Sequence, residues 1–89
     1  MRHITPARLH TIDELLAELR TIDGLTERKP GVFYRGSRAW LHFHEDGDDV
    51  YADVREASNA DFERRRVTTK TEQRGLVRAV RQSVAPSGR

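Results

Sequence analysis

The sequence contains no cysteine, which excludes a disulfide framework, a thiolate metal site and a cysteine nucleophile together. No apolar run approaches the roughly 20 residues that span a bilayer. The opening MRHITPARLH lacks the apolar core of a signal peptide, so the expected location is the cytoplasm and no membrane contact is expected. There is no glycine-rich phosphate loop, no internal repeat and no low-complexity segment. Serines 37, 58, 83 and 87 fall in expected turns or the tail with no elbow motif around them. No pair of acids is isolated in an apolar setting that would shift a pKa. Catalysis is therefore the least supported class, and no cofactor is implied.

What remains is a chain of 89 residues with 36% hydrophobic and 34% charged side chains, enough apolar content to fold as one domain. That domain is expected over residues 1–84, with 85–89 as a disordered tail. The net charge of +2 conceals an asymmetry. Residues 1–60 hold 8 Lys/Arg against 11 Asp/Glu, a net −3, and residues 61–89 hold 8 against 3, a net +5. Fourteen of the 16 basic residues are arginine, which suits phosphate or carboxylate recognition but also follows from coding bias in a GC-rich genome.

TIDELLAELRTIDG reads as an amphipathic helix. Ile12, Leu15, Leu16, Leu19 and Ile22 recur at helical spacing, Thr11 and Glu14 have the capping-box spacing, and Gly24 stands where a C-cap belongs. After Pro30 and Gly31 the period drops to 2. A turn at Gly36-Ser37 pairs Phe33 with Trp40, and one at Asp46-Gly47 pairs His44 with Asp49 and Phe43 with Val50. The two turns agree on the faces of the resulting three-stranded meander. Val32, Tyr34, Ala39, Leu41, Phe43, Val50, Ala52 and Val54 form the core face. Phe33, Arg35, Arg38, Trp40, His42, His44, Asp49, Tyr51, Asp53 and Arg55 form the open one. EASNAD reads as a loop and FERRRV as a possible short fourth strand. TTKTEQRGLVRAVRQSV reads as a second helix with a Thr69–Glu72 capping box and a stripe of Leu76, Val77, Val80 and Val84. The expected fold class is two-layer α+β, α-β-β-β-α, an antiparallel meander with both helices on one face.

That order resembles the double-stranded RNA-binding domain, which implies basic residues at the start of the second helix, where Arg64, Arg65, Arg66, Lys70 and Arg74 lie. A related topology occurs in small toxin ribonucleases whose catalytic histidine follows a Gly-Ser pair. Here Arg38 follows Gly36-Ser37, so that activity is not implied. At the level of residues, GVFYRGSRAWLHFHEDGDDVYADVR is similar to small uncharacterised bacterial proteins in which LHFHED recurs.

Three uses of these residues follow. Phe33, Arg35, Arg38, Trp40, His42, His44, Tyr51 and Asp53 on the open face form an interface for a second copy or a protein partner, unless another part of the chain covers them. On this reading, Trp40→Ser spares the fold and alters association. Arg64, Arg65, Arg66, Lys70, Arg74, Arg78 and Arg81 form a cationic edge for nucleic acid, or else pair with the acidic residues of 1–60. His42, His44 and Asp49 are weak metal-ligand candidates beside a metal- or His-dependent enzyme reading, with no recognisable further ligand. HFHED lacks the HExxH spacing because position 48 is Asp, and DGDDVYADVRE has Val50 and Asp53 where a calcium loop needs an acid and a glycine. Solvated cross-strand His-Asp and His-Tyr pairs are the expected state, and the expected function is a non-enzymatic interaction domain.

Overall fold

The computed structural model describes residues 1–55 and 61–84. Residues 56–60 of the expected loop at 56–61 and the tail at 85–89 lie outside the described residues. The elements run β1 (Arg2–His3), α1 (Pro6–His10), α2 (Asp13–Arg20), β2 (Thr26–Lys29), β3 (Val32–Arg35), β4 (Arg38–Asp46), β5 (Asp49–Val54), β6 (Glu63–Arg66) and α3 (Lys70–Val84). The architecture is α+β, with the expected meander β3-β4-β5 at the centre of an antiparallel sheet ordered β2-β3-β4-β5-β6. FERRRV supplies the fourth strand, and β1 and β2 are additions. β1 pairs with β4 at His44 and Glu45, beyond the stretch of β4 that pairs with β3. The two outer strands, TERK and ERRR, are short and charged, which suits edges that must not recruit another strand.

The first helix differs from the expected one. Thr5 is the N-cap of α1, its Oγ1 accepting from the Arg8 N–H, and Pro6 takes the first helical position, so helix begins upstream of Thr11. Thr11 then closes α1, its hydroxyl donating to the Arg8 carbonyl at 2.6 Å, and α2 starts afresh after Ile12 without a side-chain cap. The Thr11–Glu14 box does not form; Glu14 pairs instead with Lys70 of α3. The Thr69–Glu72 box does form. Thr69 Oγ1 accepts from the Glu72 N–H at 3.1 Å, and Glu72 Oε1 accepts from the N–H groups of Thr68 and Thr69, both at 3.0 Å.

The core joins Ile12, Leu15, Leu16, Leu19 and Ile22 to Leu76 and Val80 over Phe33, Trp40, Leu41, Phe43, Val50, Ala52 and Val54. Two of these residues depart from the sequence-based faces. Arg35 pairs with Arg38 and Tyr34 with Ala39 as expected, but Phe33 pairs with Leu41, so Trp40 is the extra residue of a β-bulge. Beyond the bulge β3 is turned over. Phe33 and Trp40, expected on the open face, are 1% and 4% exposed in the core, whereas Val32 and Tyr34, expected inside, are only half-buried. Gly31 leads into β3 at φ +77°, a left-handed conformation that favours glycine, and a Cβ there would also stand 2.9 Å from Leu9 Cδ1, so that side chain would have to shift.

The hairpin β4-β5 turns at Gly47-Asp48 rather than Asp46-Gly47. Gly47 has φ +61° at the first central position, as a two-residue turn of this kind needs. Each β4 residue therefore faces a β5 residue two positions further on than expected: Phe43 opposes Ala52, His44 opposes Tyr51 and His42 opposes Asp53. A shift of two leaves every face unchanged.

Two outcomes test this packing. Phe33→Ala should cost about 3–5 kcal/mol and so should unfold the domain or lower its Tm steeply in a thermal melt; an unchanged Tm would return Phe33 to the surface. Gly75 lies inside α3, where an added Cβ would meet only Arg65 Nη2, at an ordinary 3.8 Å. Gly75→Ala should therefore stabilise by about 0.5–1 kcal/mol, raising Tm by a few degrees.

Candidate functional site

Because Leu41 and Phe43 point into the core, His42 and His44 project from the opposite side of β4, and their partners Asp53 and Tyr51 project beside them from β5. β6 sets Arg64 opposite Asp53 and Arg66 opposite Tyr51. On the other edge of β4, β1 sets His3 opposite His44. Three of the four histidines thus meet. The His3 and His44 rings stack at 5.0 Å between centroids, and His42 meets His44 edge-on at 4.9 Å. Phe62 caps His42 edge-on at 4.8 Å, with the Arg55 guanidinium 4.1 Å above the Phe62 ring. The fourth, His10, stands apart near Asp13.

Asp53 is the centre of this group. It is 7% exposed, and a carboxylate removed from water needs compensating partners. Arg64 supplies a two-pronged one, Nε donating to Oδ1 at 2.8 Å and Nη2 to Oδ2 at 2.9 Å. The same Oδ2 lies 3.2 Å from His44 Nε2 and 3.5 Å from His42 Nε2. The Arg64 hydrogen bonds hold Asp53 below the usual carboxylate range, outweighing the burial that raises it. Burial pushes the His42 imidazole below its ordinary value; the Asp53 charge opposes that, while His44, His3 and Arg64 reinforce it.

Beside the group is a depression of about 500 Å³ lined by His3, Arg28, Lys29, Val32, Tyr34 and His42. The Arg28 guanidinium lies 4.6 Å above the Tyr34 ring. Val32 and Tyr34 face this way only because of the bulge.

Of the residues expected on the open face, His42, His44, Tyr51 and Asp53 are brought together there, and Phe33 and Trp40 are not. Arg35 and Arg38 flank the distant Gly36-Ser37 turn. Arg35 lies 5.6 Å over the Trp40 ring and reaches the Ser83 carbonyl of α3. Asp49, expected as the third metal-ligand candidate, is not with the histidines: the shifted register sets it opposite Asp46, where it accepts from Arg66 and from Thr68 Oγ1. Asp53 takes its place.

The C-terminal cations are distributed over acidic neighbours. Arg64 is held by Asp53, Arg66 by Asp49 and Glu72, Lys70 by Glu14, and Arg81 lies 3.7 Å from Glu18. Arg74 reaches Thr71, and with Arg78 it lines a groove between α2 and α3. Arg65 lies on the helix side of β6, against Gly75.

Sequence reasoning missed His3, Arg28, Tyr34, Phe62 and the role of Arg64. Only Arg64 carried a signal, as a cation near an acid-bearing strand. Comparison with family models, curated proteins and solved structures finds no match for this chain. Among the described residues no helix is long and apolar enough to cross a membrane.

Asp53→Asn tests the centre of the group. It should cost about 1.5–3 kcal/mol in urea denaturation at neutral pH, the range for hydrogen bonds to a charged group. Because its folded pKa is depressed, the carboxylate's contribution is present above the ordinary Asp range and lost as pH falls through the folded value. The gap between wild type and variant should therefore close in acid. An equal gap at all pH values would remove the charge from the explanation.

Proposed function

We propose that the protein is a small non-enzymatic binding domain that engages an acidic segment of a protein partner through the sheet face opposite its helices. The observation that carries this reading is the depression beside the histidines. Among the described residues it is lined by two cations, two imidazoles and a half-buried tyrosine, with no carboxylate. A groove of one sign attracts and orients the opposite one. Self-association through a greasy patch has lost its basis, since Phe33 and Trp40 are in the core and Met1 is the only large hydrophobic residue exposed among those described.

A second reading, single-stranded nucleic acid on the same face, is favoured by Tyr34 with Arg28 stacked upon it, a surface on which a base can also stack. Arg64 and Arg66 of β6 and Lys70 and Arg81 of α3 make ion pairs with acidic neighbours, which supports this face over the C-terminal basic edge as a phosphate contact.

Titration with an oligoglutamate peptide and with an oligonucleotide of equal charge, followed by amide chemical shifts at low salt, separates the two readings. Saturable shifts from the peptide at residues 28–34 and 42–44 are expected. They should weaken with salt and fall roughly thirtyfold in affinity in Arg28→Glu/Lys29→Glu, two rim charges being worth about 1 kcal/mol each. Shifts from the oligonucleotide alone would establish the second reading, and no shifts on this face from either would overturn both.

A further inference from the structure

We propose that His42, His44 and Asp53 form a binding site for one divalent transition-metal ion of the zinc class. The proposal is independent of the partner reading above. Two imidazole Nε2 atoms converge on a single carboxylate oxygen, at 3.2 and 3.5 Å from it, and all three donor atoms lie within 4.8 Å of one another. Around a tetrahedral ion with bonds of about 2.1 Å, neighbouring ligand atoms stand roughly 3.4 Å apart, the edge of that tetrahedron. The two His-to-Asp separations already have this value. An ion placed between the three atoms needs only a modest closing of the two imidazoles.

The placement is rigid. His42 and His44 lie two residues apart on one strand, and Asp53 is the paired residue across from His42 on the next. Arg64 does not block the site. Its prongs use one lone pair on each Asp53 oxygen, and an ionised carboxylate oxygen has a second. A hydrogen bond to a ligating carboxylate is the ordinary means of fixing its orientation. Arg64 is thus a positioning residue, and the Phe62 edge and the stacked His3 ring hold the two imidazoles from outside.

Two imidazoles and one carboxylate are a borderline donor set that favours zinc, cobalt or nickel over magnesium or calcium. Three protein ligands also leave a coordination position for water or an anionic group, which distinguishes the arrangement from a closed structural site.

Calorimetry and thermal melts of chelator-stripped full-length protein test this with the metals alone. Zinc and cobalt should each bind at one ion per chain, and at a hundredfold excess over Kd should raise Tm on the order of 10 °C. Magnesium should not. His44→Gln, which leaves the Asp53–Arg64 fork in place, should weaken zinc by more than about 100-fold, beyond the loss typical of an outer-shell change. Asp53→Asn should do the same, and His10→Ala should leave binding intact. Wild-type zinc affinity in His44→Gln, a magnesium shift equal to the zinc shift, or no stoichiometric binding to the wild type would each overturn the site. None of these results bears on peptide binding at Arg28 and Lys29, so the two proposals fail separately.

Discussion

The single extra residue in β4 decides both sides of the sheet. Strand pairing alone would run Phe33 against Trp40 on the open face. The bulge at Trp40 instead lets Phe33 oppose Leu41, and both aromatic rings enter the core. Burying side chains of that size is worth at least about 1.5–3 kcal/mol each, which in a domain this small outweighs the loss of regular pairing at one position. The consequence on the other side is a change in what lines the open face. The turned-over strand delivers Val32 and Tyr34 to the open face, where they wall the depression beside His42.

The second constraint is the charge of Asp53. A nearly buried carboxylate flanked by strands is costly unless it is paired, and pairing is what β6 supplies. The strand ERRR alternates its arginines so that Arg64 and Arg66 meet Asp53 and Asp49 on the open side, while Arg65 turns toward α3. The arginine-rich C-terminal part and the acidic strands before it are thereby two halves of one electrostatic arrangement. The sequence asymmetry of net −3 and net +5 is in large part internal complementarity. The imidazoles of His42 and His44 complete the surroundings of the same oxygen, which is why the cluster has the geometry of a metal ligand set.

The α+β class, the two-layer arrangement, the helix α3 with its Thr69–Glu72 cap, and the faces of β5 and of β4 from Leu41 onward were legible in residue patterns. The faces survived an incorrect turn because the register error was two residues, and side chains alternate with a period of two. The turn itself was readable after all: Gly36-Ser37 puts glycine first, and the same rule applied to the second hairpin selects Gly47-Asp48. The bulge was not readable, because Phe33, Trp40 and Leu41 are all apolar and either pairing keeps an alternating pattern. Pro6 and the Thr5 cap outweighed Thr11 as a helix start, since a chain already helical at Arg8 meets Thr11 as an ending. His3 entered the site through a two-residue strand, too short to have any period at all. That His42 and His44 share the open face was legible in the alternation, and Asp49 rather than Asp53 was expected beside them because of the turn.

Anomalous diffraction at the zinc edge, from crystals grown with one equivalent of zinc, tests the central claim that this face carries a preformed site. A single peak bonded to His42 Nε2, His44 Nε2 and Asp53 Oδ2, with Arg64 still on Asp53, is the result this account requires. An empty cluster with zinc at His10 and Asp13 or at no ordered position, or Trp40 found on the open face, would contradict it.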